Sequence, residues 1–162
     1  SLKEKIEIKE VIENSNQSVH VDYPFYLLLS ERESKDTNDS SLISYFTYDH
    51  LTYLFMGDAS KQIEKQLMAT YDLKADVIKV GHHGSNTSSD PDFLDSLDCK
   101  VALISCGYKN KYGHPSVETL KTLETLHINT LCTSDCGSIA MYSLFHFSFV
   151  VTNDGMFGII WT

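Results

Sequence analysis

Basic residues are scarce in this sequence. Thirteen Lys and Arg stand against twenty-two Asp and Glu, a formal net charge of −9. A broad cationic face that grips nucleic acid by charge alone is thereby excluded. Any contact with phosphate must be local, through a small basic patch or through bound cations that the count omits. Cysteine is also sparse: Cys99, Cys106, Cys132 and Cys136 are too few to staple 162 residues as a disulfide scaffold. Cys132 and Cys136 have C-x3-C spacing, half of a zinc site, but no second suitable pair follows, and buried free thiols are the favoured reading. Long apolar runs are missing as well. The longest, Phe25 to Leu29, falls far short of the roughly 20 residues that a bilayer demands, so no stretch is expected to cross a membrane by itself. The opening Ser1-Leu2-Lys3-Glu4-Lys5 has no apolar core and does not read as a signal peptide.

What is present reads as one folded domain over residues 1–162. Hydrophobic residues make up 42% and charged residues 22%, close to the globular average. Ile6-Glu7-Ile8 and Val19-His20-Val21 alternate with period two, and Phe25 to Leu29 is a short buried run; all three predict strands. The polar stretch Ser30 to Ser41 predicts a loop. Leu42 to Tyr48 and Leu51 to Met56 follow as a hairpin turning near Asp49-His50. Ala59 to Thr70 sets Ile63 and Leu67 four apart among Lys, Glu and Gln, an amphipathic helix. Asp76 to Val80 and Lys100 to Ser105 predict strands. Asp90-Pro91 predicts an N-cap with proline in the first helical position. Pro115 to Leu126 predicts a second helix, its stripe traced by Val117, Leu120 and Leu123 or Glu124. Strands close the chain at Ile128 to Cys132, Ser138 to Ser143, His146 to Thr152 and Met156 to Trp161. The alternation in the middle, with hairpins at both ends, indicates a mixed α/β (α+β) domain in which helices cover a sheet.

Three polar clusters each follow a predicted strand: Phe55-Met56-Gly57-Asp58, Lys79-Val80-Gly81-His82-His83-Gly84-Ser85, and Gly107 through Lys109, Lys111 and His114 to Pro115. Strand ends hold side chains in fixed positions while leaving them reachable. Taken singly, each has a plain reading. Asp58 would serve as N-cap of the helix at Ala59, His114 as a turn residue, and the two lysines as part of a solvated loop. His82 and His83 are harder to dismiss, because neighbours on an extended chain point to opposite faces and at most one can serve the core. A carboxylate from one strand end and an imidazole from the next are suitable ligands for Zn²⁺, Mn²⁺ or Fe²⁺. His20, His50, His127 and His146 lack such context and read as surface or packing residues.

These residues resemble the metallo-β-lactamase superfamily. Val101 to Gly107 with Tyr112-Gly113-His114-Pro115, the Asn38-Asp39-Ser40-Ser41-Leu42 run and Thr133 to Ile139 narrow the resemblance. They are similar to the C-terminal hydrolase-like domain of the ComEC family of DNA-internalisation competence proteins, over about Phe25 to Thr162. One feature of the superfamily is missing: no H-x-H occurs in the sequence, whereas members carry an upstream H-x-H-x-D-H motif that supplies most metal ligands. The chain therefore reads as the second half of an αββα sandwich domain.

The resemblance implies two divalent metal ions, Zn or Mn, in the full domain. Asp58 would bridge them and His82 would be a ligand, with His83 left for phosphate or hydroxide contact and His114 to position the scissile phosphate or protonate the leaving oxygen. Ser85, Asn38, Lys109 and Lys111 are the candidate substrate contacts. Two cations about 3.5–4 Å apart clamp a phosphodiester and generate hydroxide near neutral pH. The implied parent is a polytopic membrane protein with this domain outside the cytoplasm. Its expected partners are single-stranded DNA, the channel portion of the same protein and other competence proteins. Sheet edges left open by the missing half would invite dimerisation. Two other readings stand beside a nuclease: a hydrolase of a small phosphoester or lactone, and a non-catalytic module that docks DNA or partners.

Overall fold

The structure, a computed structural model, describes residues 22–29, 38–144 and 147–160. The strands expected around Ile6 and Val19, and most of the loop from Ser30, lie outside these residues. So do His20 and His146. Among the described residues the chain runs β1 (Phe25–Leu28), β2 (Ile43–Tyr48), β3 (Leu51–Phe55), α1 (Lys61–Thr70), β4 (Val77–Lys79), α2 (Pro91–Ser96), β5 (Val101–Ile104), α3 (Val117–Thr125), β6 (Asn129–Cys132), α4 (Thr133–Cys136), β7 (Ile139–Leu144), β8 (Phe147–Thr152) and β9 (Phe157–Ile160).

Strands β1 to β6 form one mixed sheet in sequence order, and β7 to β9 a three-stranded antiparallel meander. The first three strands pair antiparallel, through the expected hairpin. From β3 to β6 pairing is parallel, each crossover carrying a helix or helical loop, as parallel neighbours require.

Period-two alternation decides which layer each side chain enters. Leu54, Ile78 and Ala102 point to a core shared with Ile63 and Leu67 of α1, Phe93 and Leu94 of α2, and Leu123 of α3. Their neighbours Tyr53, Val77 and Val101 point the other way, against Ile160 and Met141 of the second sheet. Helices thus cover one face and the small sheet the other. Leu54, Ile43, Leu67 and Ile104 are fully buried, and each such side chain contributes about 1.5–3 kcal/mol relative to exposure. The turn of the hairpin also reaches the second sheet. His50 Nδ1 lies 3.0 Å from Asp49 Oδ2, and its Nε2 lies 3.3 Å from the hydroxyl of buried Ser148, so His50 is a packing residue as expected.

Two helix details differ from expectation. Helix α1 starts at Lys61 with Ser60, not Asp58, at its N-cap. The reason lies outside the helix: Gly57 turns the chain with φ +58, and the Asp58 amide is used by Ser41. In α3 the buried residues are Thr119 and Leu123, while Val117 and Leu120 are exposed. Ser116 caps this helix by accepting from Thr119 N, and the Thr119 hydroxyl donates to the Ser85 carbonyl at 3.1 Å. That bond turns a polar residue inward and rotates the apolar stripe. The Asp90 cap is as expected, its carboxylate accepting from Asp92 N at 3.1 Å.

Candidate functional site at the strand ends

Phe55, Lys79 and Leu103 are in register across β3, β4 and β5. Because the three strands are parallel, the segments that follow them leave the sheet at one edge, where ligands bind in open α/β sheets. The first carries Asp58. A Cβ on Gly57 would stand 2.7 Å from Ser41 Cβ, so only glycine allows this turn and this close approach. Ser41 Oγ accepts from the Asp58 amide at 3.0 Å, and Asp39 Oδ1 accepts from Ser60 N at 3.3 Å. Asn38 contributes its carbonyl to the same turn, accepting from Ser41 N. The 38–41 segment is therefore the brace that aims Asp58. Lys79 Nζ donates to the Gly57 carbonyl at 3.0 Å. Burial lowers the pKa of this lysine, and the negative charge of Asp58 opposes the fall.

The second segment carries the paired histidines. They are not extended, as alternation had suggested, but lie in a tight turn, Gly81–Gly84, with φ of 46° at His82 and 56° at His83. Left-handed backbone at two successive non-glycine residues stores about 1–3 kcal/mol each and persists only where the surroundings hold it. Here they do. His82 N donates to Gly57 O at 3.1 Å, Ser85 N to His82 O at 2.9 Å, and Ser88 Oγ to Gly81 O at 2.8 Å. Neither ring enters the core; His82 is half-buried and His83 exposed. Ser85 is buried, its hydroxyl accepting from Thr87 N and Thr87 Oγ1, and it braces the turn from within.

The geometry around His83 is specific. Its Nδ1 lies 2.6 Å from the Ser105 carbonyl, an acceptor, so Nδ1 carries the proton. In the neutral ring Nε2 then presents a lone pair, and that atom lies 3.6 Å from Asp58 Oδ1. A lone pair facing a carboxylate across this distance calls for a proton or a cation between them. His82 is held differently, with Nδ1 3.1 Å from Thr87 Oγ1. Its ring centroid lies 6.4 Å from that of His83 and 5.8 Å from that of His114. The pKa of His114 lies below its ordinary 6.5, through desolvation first and then through repulsion from His82 and His83.

The third segment, residues 107–114, is organised by Asn110. Its amide donates to the Gly107 and His114 carbonyls, and its Oδ1 accepts from Tyr112 N and His114 N. The loop so fixed shows Tyr108 and Tyr112 at 74% and 70% exposure. Lys109 Nζ sits 5.2 Å from the Tyr108 ring centre and Lys111 Nζ 4.9 Å from that of Tyr112. Tyr112 also stacks on His114, at 5.8 Å and 15°. Between this loop and the histidine turn lies a cavity of about 460 Å³ lined by His83, Ser105, Cys106, Asn110, Tyr112 and His114. Gly84 permits that proximity, since a Cβ there would meet Pro115 Cβ at 2.8 Å.

The structure thus brings Asp58, His82, His83 and His114 together, with Lys109 and Lys111 on the adjoining loop. The Asn38 carbonyl and the Ser85 hydroxyl are engaged within the supporting turns. Among the described residues no group of three or more His, Cys, Asp or Glu side chains is gathered closely enough to hold a metal ion. Asp58 and His83 fit a divalent cation by donor type and by their 3.6 Å separation, but two donors are fewer than the three that catalytic zinc sites use. Several contributors escaped sequence reasoning. Ser41 sat in a stretch read as a loop and Asn110 between the two candidate lysines, while Thr87 was given no reading. Glu64 looked like the solvent face of α1, yet it is buried and accepts from Ser89 N at 2.8 Å and Asp90 N at 2.7 Å.

No family model matches the chain. Curated relatives do, three of them as follows. ComE operon protein 3 of Bacillus subtilis (strain 168) is 36% identical over 120 residues, 73% of this chain and 16% of that protein. Competence protein ComA of Neisseria gonorrhoeae is 34% identical over 121 residues, 74% of this chain and 17% of the relative. Recombination protein 2 of Haemophilus influenzae is 39% identical over 70 residues, 43% of this chain and 9% of the relative. The chain spans about one sixth of the length of the first two. No helix among the described residues is long and apolar enough to cross a membrane. About three quarters of this chain is homologous to one region of the ComEC-type competence proteins.

Proposed function

We propose that this chain is part of a metal-dependent phosphodiesterase domain, nuclease-like and of the metallo-β-lactamase sandwich type, in a membrane protein that takes up DNA during natural transformation. The observation that carries the proposal is that His83 Nε2 and Asp58 Oδ1 face each other at 3.6 Å, from the ends of adjacent parallel strands. Asp58 and His83 would hold a divalent metal ion together with further donors. This exchanges the roles first expected of the two histidines, because His83 is oriented by a carbonyl in the manner of metal-ligating imidazoles, while His82 is turned to Thr87. When bound, the metal supplies a Lewis acid and a hydroxide at neutral pH.

The rest falls to this chain's own residues. Desolvation and the neighbouring His82 and His83 lower the pKa of His114. Its ring would position the scissile phosphate or protonate the leaving oxygen. Lys109 and Lys111 place positive charge on the loop that walls the cavity, in a chain whose net charge is −9. Tyr108 and Tyr112, exposed on a loop that Asn110 holds rigid, offer faces on which unpaired bases stack. A single strand is therefore the favoured substrate. The parent protein would carry this domain outside the cytoplasm, beside its channel portion and other competence proteins.

The test uses the whole parent protein with Mn²⁺ or Zn²⁺ and a labelled single-stranded oligonucleotide. Metal-dependent cleavage is expected, lost in both Asp58→Ala and His83→Ala, with unchanged circular dichroism. Full cleavage in Asp58→Ala overturns the proposal. Cleavage of small phosphoesters or lactones with DNA untouched assigns the other hydrolase reading. DNA uptake that is intact in Asp58→Ala cells assigns a docking module.

A further inference from the structure

Four thiols are present, and two of them face each other outside the Asp58–His83 pair. Cys106 Sγ and Cys132 Sγ lie 3.2 Å apart, inside van der Waals contact. The approach is built into the sheet. Cys132 ends β6 directly opposite Ile104 of β5, and Cys106 follows two residues later. Thr133 closes the gap from both sides: its Oγ1 accepts from Cys106 N and donates to Cys106 O, each at 2.9 Å. Neither sulfur is bonded to the other in the structure.

The two differ in access. Cys106 lines the cavity beside His83 and His114, whereas Cys132 is buried behind it. Burial raises Cys132 as it raises Cys99 and Cys136; what selects Cys132 is its contact with Cys106, while the other two have different partners. Cys136 is buried and donates to the Cys132 carbonyl at 3.1 Å. Cys99 is held to the Val101 carbonyl at 3.2 Å, and burial pushes its thiol up to about 11.

We propose that Cys106 and Cys132 are a disulfide-forming pair, a redox modification site in the wall of the His83 cavity, whose oxidant is a small-molecule disulfide. The inference stands independently of any hydrolase activity. In the first step Cys106 thiolate attacks one sulfur of the oxidant RS–SR, forming Cys106–S–S–R and releasing one RS⁻. In the second, Cys132, its proton lost to solvent, attacks Cys106 Sγ, and the second RS⁻ leaves. Two protein thiols are oxidised and one external disulfide is reduced to two thiols, so electrons and atoms balance. Forming the bond requires the sulfurs to close from 3.2 Å to about 2.05 Å. Cys106 directly follows Ser105, whose carbonyl orients His83.

The experiment exposes the unaltered chain to oxidised glutathione, alkylates the remaining thiols, and maps the products by mass spectrometry. Two of the four alkylatable thiols should be lost, with Cys106 and Cys132 recovered in one cross-linked peptide. In Cys132→Ser, glutathione should stay attached to Cys106, which shows the order of attack. A glutathione adduct that persists on Cys106 in the unaltered chain overturns the proposal. So does linkage through Cys99 or Cys136, or four thiols still alkylated.

Discussion

Replacing Glu64 by glutamine should change how the stability of this protein depends on pH. Glu64 lies buried under the loop that supports the histidine turn, with its two oxygens accepting from Ser89 N and Asp90 N. Burial raises its pKa from the ordinary 4.5 to about 7, and the two amide bonds only partly offset the rise. The sign follows from proton linkage. Between 4.5 and about 7 the folded chain holds a proton on Glu64 that the unfolded chain has released, so stability is highest below 4.5 and falls as pH rises to 7. At about 1.4 kcal/mol per pH unit, the full loss is about 3 kcal/mol. Glutamine cannot ionise and removes this slope, although it sets an amide N–H₂ against one of the two backbone donors, at about 1–3 kcal/mol independent of pH. Urea denaturation at pH 4.5 and pH 8 for both proteins measures the difference. Wild type should lose about 3 kcal/mol more than Glu64→Gln over that range. Parallel pH profiles would refute the argument, because they would mean that Glu64 is already ionised at low pH or is solvated.

Two more perturbations act on the site itself. Gly57→Ala places a Cβ 2.7 Å from Ser41 Cβ at a φ of +58; a loss of about 2 kcal/mol in thermal unfolding is expected from left-handed strain and crowding together, and wild-type stability would contradict it. Tyr108→Ala and Tyr112→Ala should each weaken binding of a single-stranded oligonucleotide by about 1–3 kcal/mol in fluorescence anisotropy. Tyr→Phe at either position should retain it, and equal losses for Phe and Ala would exclude stacking.

Much of the architecture was legible because the signals were periodic. The β2–β3 hairpin, strands β4 and β5 and the Asp90-Pro91 helix start rest on apolar patterning and capping chemistry, which act within a few residues. The three polar clusters were legible as strand-end segments, and the structure does gather them. What the sequence concealed depends on contacts between distant residues. That α1 begins after Ser60 and not after Asp58 goes with Ser41, 17 residues earlier, taking the Asp58 amide. The inward turn of Thr119 follows from the Ser85 carbonyl, 34 residues away. The left-handed backbone at His82 and His83 is imposed by Gly57 and Ser88, and it overrides the alternation that an extended pair would show. Glu64 illustrates the same limit: in a helix rich in Lys and Gln nothing marks one carboxylate as buried, until the loop above it supplies two donors.

The most direct measurement is calorimetric titration of Mn²⁺ and Zn²⁺ into this chain, with Asp58→Asn and His83→Ala alongside. If Asp58 and His83 are metal ligands, the wild-type chain binds an ion weakly, as two protein donors allow, and either substitution abolishes the heat. Binding that is the same in the wild type and both variants would contradict the assignment of this pair.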